Sequence, residues 1–223
     1  TEMKACVLER PQKYSIQDIP MPKVGADEVL VRILVSGICV NDVRDYKGSK
    51  WSYPRIGGHE YSAVIEKIGE DVPKESFKVG DKVIAYIIDD CGICYDCKHN
   101  HENICESFTK SKAYYNPNGY SGFYGFSEYA VVKARNLYVY PKATPDEEAA
   151  FSEPLACVLN SIQRSHIKMG DDVVVIGGGV MGLLHVLCAK LQGARVILSE
   201  VDAKRREFGL KLGADEVIDP LSS

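Results

Sequence analysis

Residues 172–182 read DVVVIGGGVMG, and residues 195–201 read RVILSEV. The first run is a short β-branched strand that ends in three glycines, with a fourth three positions on, so it satisfies G-x-G-x-x-G directly after a strand. In this pattern Gly177 permits a tight turn, Gly179 lets a pyrophosphate approach the backbone, and Gly182 lets the following helix pack close on the strand. Gly178 completes the triplet, and Val180 and Met181 open the helix. The unpaired N–H groups and partial positive charge at the amino terminus of that helix suit phosphate. The second run ends in Glu200, eighteen residues past Gly182 and near the spacing of about 20 expected of the acid that receives the ribose hydroxyls. A carboxylate there repels a 2′-phosphate, so NAD is expected over NADP, although Arg205 and Arg206 stand close enough to hold such a phosphate. Asp202 reads as a helix cap.

From this core the pattern extends in both directions. A strand at 172–176, a helix at 180–191, a strand at 195–201, a helix from 202 to about 212 and a strand at 215–219 specify parallel pairing. Complete doubly wound dinucleotide folds use about six strands against three here, so a longer protein is expected. The uncharged stretch 173–189 imitates a membrane span, but three adjacent glycines, each costing about 1 kcal/mol in a helix interior, argue against one.

Upstream, EVLVRILVSGIC (28–39), EYSAVIEKIG (60–69), DKVIAYII (81–88) and EYAVVKA (128–134) are β-branched-rich runs separated by Gly, Pro and Asp. They predict a mostly-β unit over 1–150, with one short helix at 41–47 and an irregular excursion from Lys98 to Gly125 that contains Asn-Pro-Asn-Gly at 116–119. Thr144-Pro145 followed by three acids starts a helix, with Pro154 as its kink or break. Residues 151–223 then form the dinucleotide-binding part.

The chain has 223 residues, 45% of them apolar and 26% charged, which excludes disorder and collagen-like repetition. A net charge of −4 lacks the footprint of a nucleic-acid binder. Of eight cysteines, Cys91, Cys94, Cys97 and Cys105 lie within fifteen residues. Short cysteine spacings let neighbouring turns aim sulfurs at one tetrahedral Zn²⁺, and four thiolates leave no open position, which marks a structural site. The opening TEMKACVLER has no apolar signal-peptide core, so a reducing, cytoplasmic compartment and metal-bound thiolates are expected instead of disulfides. His99 and His101 read as solvated loop residues, and Cys6, Cys157 and Cys188 as buried small apolar ones. Tyr114, Tyr115, Tyr120, Phe123, Tyr124 and Phe126 read as aromatic loop packing.

Cys39 followed by Asp42, and Gly57-Gly58-His59-Glu60, would mean little alone. Together with the four-cysteine loop and the glycine turn, they resemble the zinc-dependent medium-chain dehydrogenase/reductase family, over essentially all 223 residues. The resemblance implies a GroES-like catalytic domain and a Rossmann domain with the active site between them. It places a catalytic zinc on Cys39 and His59. Ser152-Glu153-Pro154-Leu155 offers Glu153 as the next ligand, as in sorbitol and threonine dehydrogenases, with Glu60 an alternative ligand or neighbouring carboxylate. Asp42 is expected to accept the remaining ring N–H of His59. One thiolate and one carboxylate neutralise Zn²⁺, a neutral imidazole completes three ligands, and a fourth position stays open for the alcohol whose hydride passes to nicotinamide. Many members carry Ser or Thr where Asn41 stands. An amide is a poor proton relay, and Arg44 occupies the place of a relay histidine, so the proton is expected to leave near Glu153 or Glu60. The resemblance implies oxidation of a secondary alcohol, such as a polyol or sugar, with threonine as the alternative. A homo-oligomer is expected, with no membrane or nucleic-acid partner. A catalytically silent, zinc-stabilised binding module is the competing reading.

Overall fold

The computed structural model describes residues 2–48, 52–110 and 119–222, without the side chains of 109 and 110. The chain forms two compact units, Thr1–Glu153 and Pro154–Ser223. Tyr114, Tyr115 and most of the Asn-Pro-Asn-Gly turn lie outside the described residues.

The first unit is built on two sheets. One has the order β8-β3-β5-β6-β9 and is antiparallel throughout: β3 (Glu28–Ser36) pairs β5 (Tyr61–Ile68) and β8 (Tyr129–Lys133), and β6 (Lys82–Ala85) bridges β5 and β9 (Leu137–Val139). These are the four strands expected from sequence, each shorter at its ends, together with β9. The other sheet has the order β2-β1-β4-β7. It joins the hairpin of β1 (Glu2–Arg10) and β2 (Lys13–Pro20) to two short parallel strands, β4 (Arg55–Ile56) and β7 (Ser121–Gly122). The sequence reading did not single out β1 and β2, because charged residues interrupt the apolar ones. Alternate residues Met3, Ala5 and Val7 of β1 nevertheless turn inward with Val29, Val31, Ile56, Ala63, Ile65 and Val83 to form the core. Each fully buried aliphatic side chain there contributes about 1.5–3 kcal/mol relative to exposure.

Helix α1 (Val40–Gly48) follows Cys39 directly. After β6 comes α2 (Tyr95–Lys98), and the expected excursion is more regular than predicted at its start, holding a 3-10 turn at Glu102–Ile104 and α3 (Glu106–Lys110). The helix predicted from Thr144 divides into α4 (Asp146–Ala150) and α5 (Ser152–Ser165). Pro145 serves as the cap of α4 instead of its first helical residue. The break falls at Phe151, before Pro154. Pro154 sits in the first turn of α5, where its missing N–H would have had no helical partner anyway.

In the second unit, β10 (Asp172–Ile176), β11 (Arg195–Ser199) and β12 (Glu216–Ile218) pair in parallel in that order. Helices α6 (Val180–Leu191) and α7 (Ala203–Lys211) form the crossovers between them. Val158, Ile162, Val186, Ala189, Val196 and Leu198 form a separate core. Val174 and Ile176 on β10 are exposed. No described helix is long and apolar enough to cross a membrane; the stretch that imitated a span is β10, the glycine turn and most of α6.

Candidate metal centres and dinucleotide turn

Three of the family-implied ligands converge. Cys39 lies just beyond the end of β3, and His59 and Glu60 lie on the segment entering β5; because β3 and β5 are antiparallel partners, Ser36 stands opposite Tyr61. One donor atom each from Cys39, His59 and Glu60 lies within 4.8 Å of the other two. Buried Asp42 ties the two ligand-bearing stretches together. Its Oδ2 accepts the backbone N–H of Cys39 at 2.9 Å, and its Oδ1 accepts that of Gly58 at 3.1 Å. This corrects the expected contact between Asp42 and the His59 ring: both carboxylate oxygens bind backbone, and no hydrogen bond joins the two side chains among the described residues. Phe123 packs on the His59 ring instead, with centroids 5.5 Å apart. The sequence carried no signal for that contact beyond an aromatic cluster.

Glu153, at the start of α5, is not part of this group of mutually close donors, yet it senses both His59 and Glu60 electrostatically. Burial raises its carboxyl above the usual value, His59 acts in the opposite sense, and the negative charge of Glu60 raises it further. Cys39 is pushed up to about 11, chiefly by burial; the Asn41 backbone N–H opposes the shift and Glu60 adds to it. The half-buried Cys39 thiol and the Glu60 carboxylate repel each other as anions at this proximity, and a divalent cation removes that conflict. Thiolate sulfur, imidazole nitrogen and carboxylate oxygen are all donor types that Zn²⁺ takes. Asn41 does not join the donors; its side-chain oxygen accepts from Arg44 at 3.3 Å.

The four-cysteine cluster also converges, with all four sulfurs within 4.8 Å of one another. Tetrahedral zinc at about 2.3 Å from each sulfur sets the sulfur–sulfur edge at about 3.8 Å. The separations of 4.0 Å for Cys91–Cys97 and 3.4 Å for Cys94–Cys97 bracket that edge. Backbone N–H groups already face the sulfurs: Cys94 donates to Cys91 and Cys91 donates to Cys105. Such N–H groups hold the Cys91 thiol down at about 6, whereas burial and the neighbouring sulfurs push Cys97 up to about 12. His99 and His101 stay outside the cluster: His99 contacts the Tyr95 carbonyl and stacks on its ring, and both histidines are exposed. Of the other cysteines, Cys188 is buried, Cys6 is half-buried, and Cys157 is exposed on α5, correcting its expected burial. Tyr124 lies in the core with Tyr120 and Phe126 packed against it.

In the second unit, Gly177 takes a positive φ of 96° and donates to the Ser199 carbonyl. Gly179 caps α6 in extended conformation, ahead of Val180 and Met181. A Cβ on Gly182 would stand 1.8 Å from the Gly177 carbonyl oxygen. Glu200 is buried at the end of β11 and accepts the backbone N–H groups of Gly178 and Asp202. Those bonds, with Arg205 nearby, hold its carboxyl below the usual value. Glu200 therefore braces the glycine turn. Asp202 caps α7 by accepting from Arg205 N–H at 2.9 Å. Arg206 is committed to the Glu200 and Val201 carbonyls and to Asp219.

Residues 25–142 match the family described as Alcohol dehydrogenase GroES-like domain. The chain is 36% identical over 228 residues to L-threonine 3-dehydrogenase of Pyrococcus horikoshii, covering 99% of this chain and 63% of that protein. It is 32% identical over 213 residues to D-arabitol-phosphate dehydrogenase of Enterococcus avium, covering 92% of this chain and 57% of that one. Among solved structures, a protein assigned as a zinc-binding dehydrogenase from Sinorhizobium meliloti 1021, bound to NADP, superposes with a TM-score of 0.90 at 32% identity, over 100% of this chain and 63% of that one. A protein described as a short chain alcohol dehydrogenase from Escherichia coli CFT073, complexed with NADH, gives 0.88 at 32% identity, over 100% and 64%. The chain thus spans less than two thirds of the length of these relatives.

Proposed function

This chain belongs to the zinc-type medium-chain dehydrogenases, with a GroES-like unit followed by the first part of a Rossmann unit, and on that premise we propose that it carries the metal and dinucleotide sites of an NAD-dependent oxidoreductase of secondary alcohols. The observation that supports this reading is the convergence of Cys39, His59 and Glu60 within 4.8 Å of one another, with Glu153 in electrostatic reach. Cys39 and Glu60 as anions balance the charge of Zn²⁺, and His59 joins them as a neutral ligand. When bound there, zinc supplies Lewis acidity toward the oxygen of an alcohol.

The protein's own residues do the remaining work. Asp42 holds the Cys39 and His59 segments at fixed separation through two backbone N–H groups. Phe123 braces the imidazole. Asn41 is a poor proton carrier, so we assign the substrate proton to Glu153, whose carboxyl burial raises. Cys91, Cys94, Cys97 and Cys105 hold a second, structural zinc. Gly177–Gly182 receive the pyrophosphate and Glu200 the ribose hydroxyls. A buried carboxylate at that position disfavours a 2′-phosphate, which supports NAD over NADP; Arg205 at the same turn is the residue that would favour the latter.

A polyol or sugar alcohol is the proposed substrate class, and similarity to the Pyrococcus enzyme supports threonine as the second reading. The test is metal analysis together with nicotinamide absorbance against a panel of polyols, sugars and amino alcohols, using the full-length protein. The proposal expects about two zinc per chain and reduction of NAD by one class in the panel. One zinc and no absorbance change with any compound would establish the silent zinc-stabilised module instead.

A further inference from the structure

Glu60 reaches the Cys39–His59 pair because the residue facing it has no side chain. Gly37 lies between the end of β3 and Cys39, and its N–H donates to the Glu60 carbonyl at 2.7 Å, so the two backbones are locked together. A Cβ built on Gly37 would stand 2.7 Å from Glu60 Oε2, 3.3 Å from Glu60 Cβ and 3.5 Å from its carbonyl oxygen. The first of these separations is one that real Cβ atoms essentially never show. With the backbone hydrogen-bonded, it can open only by swinging the Glu60 carboxylate away. Gly37 does not adopt a left-handed φ, so its backbone accepts alanine without strain. The glycine is therefore explained by the space the carboxylate occupies and not by the turn.

We propose that Gly37 is a positioning residue that seats the Glu60 carboxylate beside Cys39 and His59. The inference rests on the reading of this trio as a metal site. It adds that the seat of the Glu60 carboxylate depends on one missing methyl group.

The test is a double-mutant cycle read by zinc affinity, measured in competition with a chromophoric chelator on the full-length protein. The four-cysteine site acts as an internal reference. Gly37→Ala is expected to weaken the trio site about 10- to 100-fold, the range seen when a residue supporting a metal ligand is lost, and to leave the four-cysteine site unchanged. In a Glu60→Ala background the same Gly37→Ala change should have no further effect, because the group it displaces is gone. A purely structural role for Gly37 would weaken both backgrounds equally, and that result overturns the proposal, as does unchanged affinity in Gly37→Ala. Circular dichroism of each variant verifies that it is folded. If the unmutated protein binds only one zinc, the trio is no metal site and this inference falls with that reading. Two zinc in the unmutated protein with an additive cycle refutes the role of Gly37 alone.

Discussion

Replacing Gly182 by alanine sets two known effects against each other. Gly182 is the third residue of α6, and alanine there gains about 1 kcal/mol of helix propensity. Against this, the new methyl would lie 1.8 Å from the Gly177 carbonyl oxygen and 3.6 Å from Val175 Cγ1. The carbonyl is backbone and the Cβ is fixed in place by its own backbone, so no side-chain rotation relieves the overlap. To reach ordinary contact the helix start and the turn must separate by more than an ångström. That motion lifts α6, whose Val186, Cys188 and Ala189 are 0%, 3% and 0% exposed, away from β10 and β11. Overpacking a tight site costs about 1–3 kcal/mol, and two rigid partners place this case at the upper end, for a net loss of about 2 kcal/mol. Hydrogen exchange of the α6 amides at Val186–Ala189 reads this directly as a fall in protection of roughly 30-fold, at about 1.4 kcal/mol per tenfold. Gly179→Ser is the control. A Cβ on Gly179 meets nothing within 4 Å, and serine is a good N-cap, so its protection should stay within about 0.5 kcal/mol of the parent. Unchanged protection in Gly182→Ala, or an equal fall in both variants, would refute the reasoning.

Cys105→Ser should remove one equivalent of zinc and expose 91–105 to proteolysis; in this short segment Cys97 and Cys105 are the buried residues, whereas Ile93 and Tyr95 are 77% and 70% exposed, so the metal takes the place of a core. Metal content and limited proteolysis test this, and an intact segment without metal would contradict it. Asp42→Ala, which frees the Cys39 and Gly58 N–H groups, should weaken zinc at the trio by about 10- to 100-fold and spare the four-cysteine site. Equilibrium dialysis followed by metal analysis distinguishes the two sites. The Asp146 carboxyl accepts from Lys82 and Tyr140 at 2.7 Å each, and these bonds hold it below its ordinary value of 3.8. A depressed carboxylate contributes stability that is fully present above 3.8 and is lost as pH falls through the lower folded-state value. The stability gap between the parent and Asp146→Asn should accordingly be open at neutral pH and close in acid, as followed by denaturant midpoints. Tyr140 is raised from 10.0 to about 12 by burial, with Asp146 adding to the shift, so its contribution is present below pH 10 and lost on rising toward 12.

The two features most legible in the sequence are local. The four cysteines and the glycine turn each act within a short stretch, so spacing alone constrains where the donors and N–H groups point. The βαβαβ order of the second unit follows in the same way from apolar runs and glycine punctuation. The hairpin of β1 and β2 was not legible, because lysines and glutamates on its outer face broke up the apolar residues whose alternation became evident only against the rest of the core. Cys157 was misplaced because helix α5 turns it outward, and no neighbouring residue in the sequence reports that face.

The sequence by itself determined which chemistry was on offer: a four-thiolate loop, a phosphate-binding turn with an acid at the end of the next strand, and a thiol, an imidazole and two carboxylates of metal-ligating type. The tertiary structure decided how those scattered groups are used. Antiparallel pairing of β3 with β5 places Cys39 beside His59 and Glu60, Asp42 binds backbone instead of the imidazole ring, and Glu60, not Glu153, joins the mutually close donors. Sequence spacing constrains only neighbours along the chain, whereas these arrangements depend on sheet register and on contacts between residues far apart in sequence, which exist only once the core has formed.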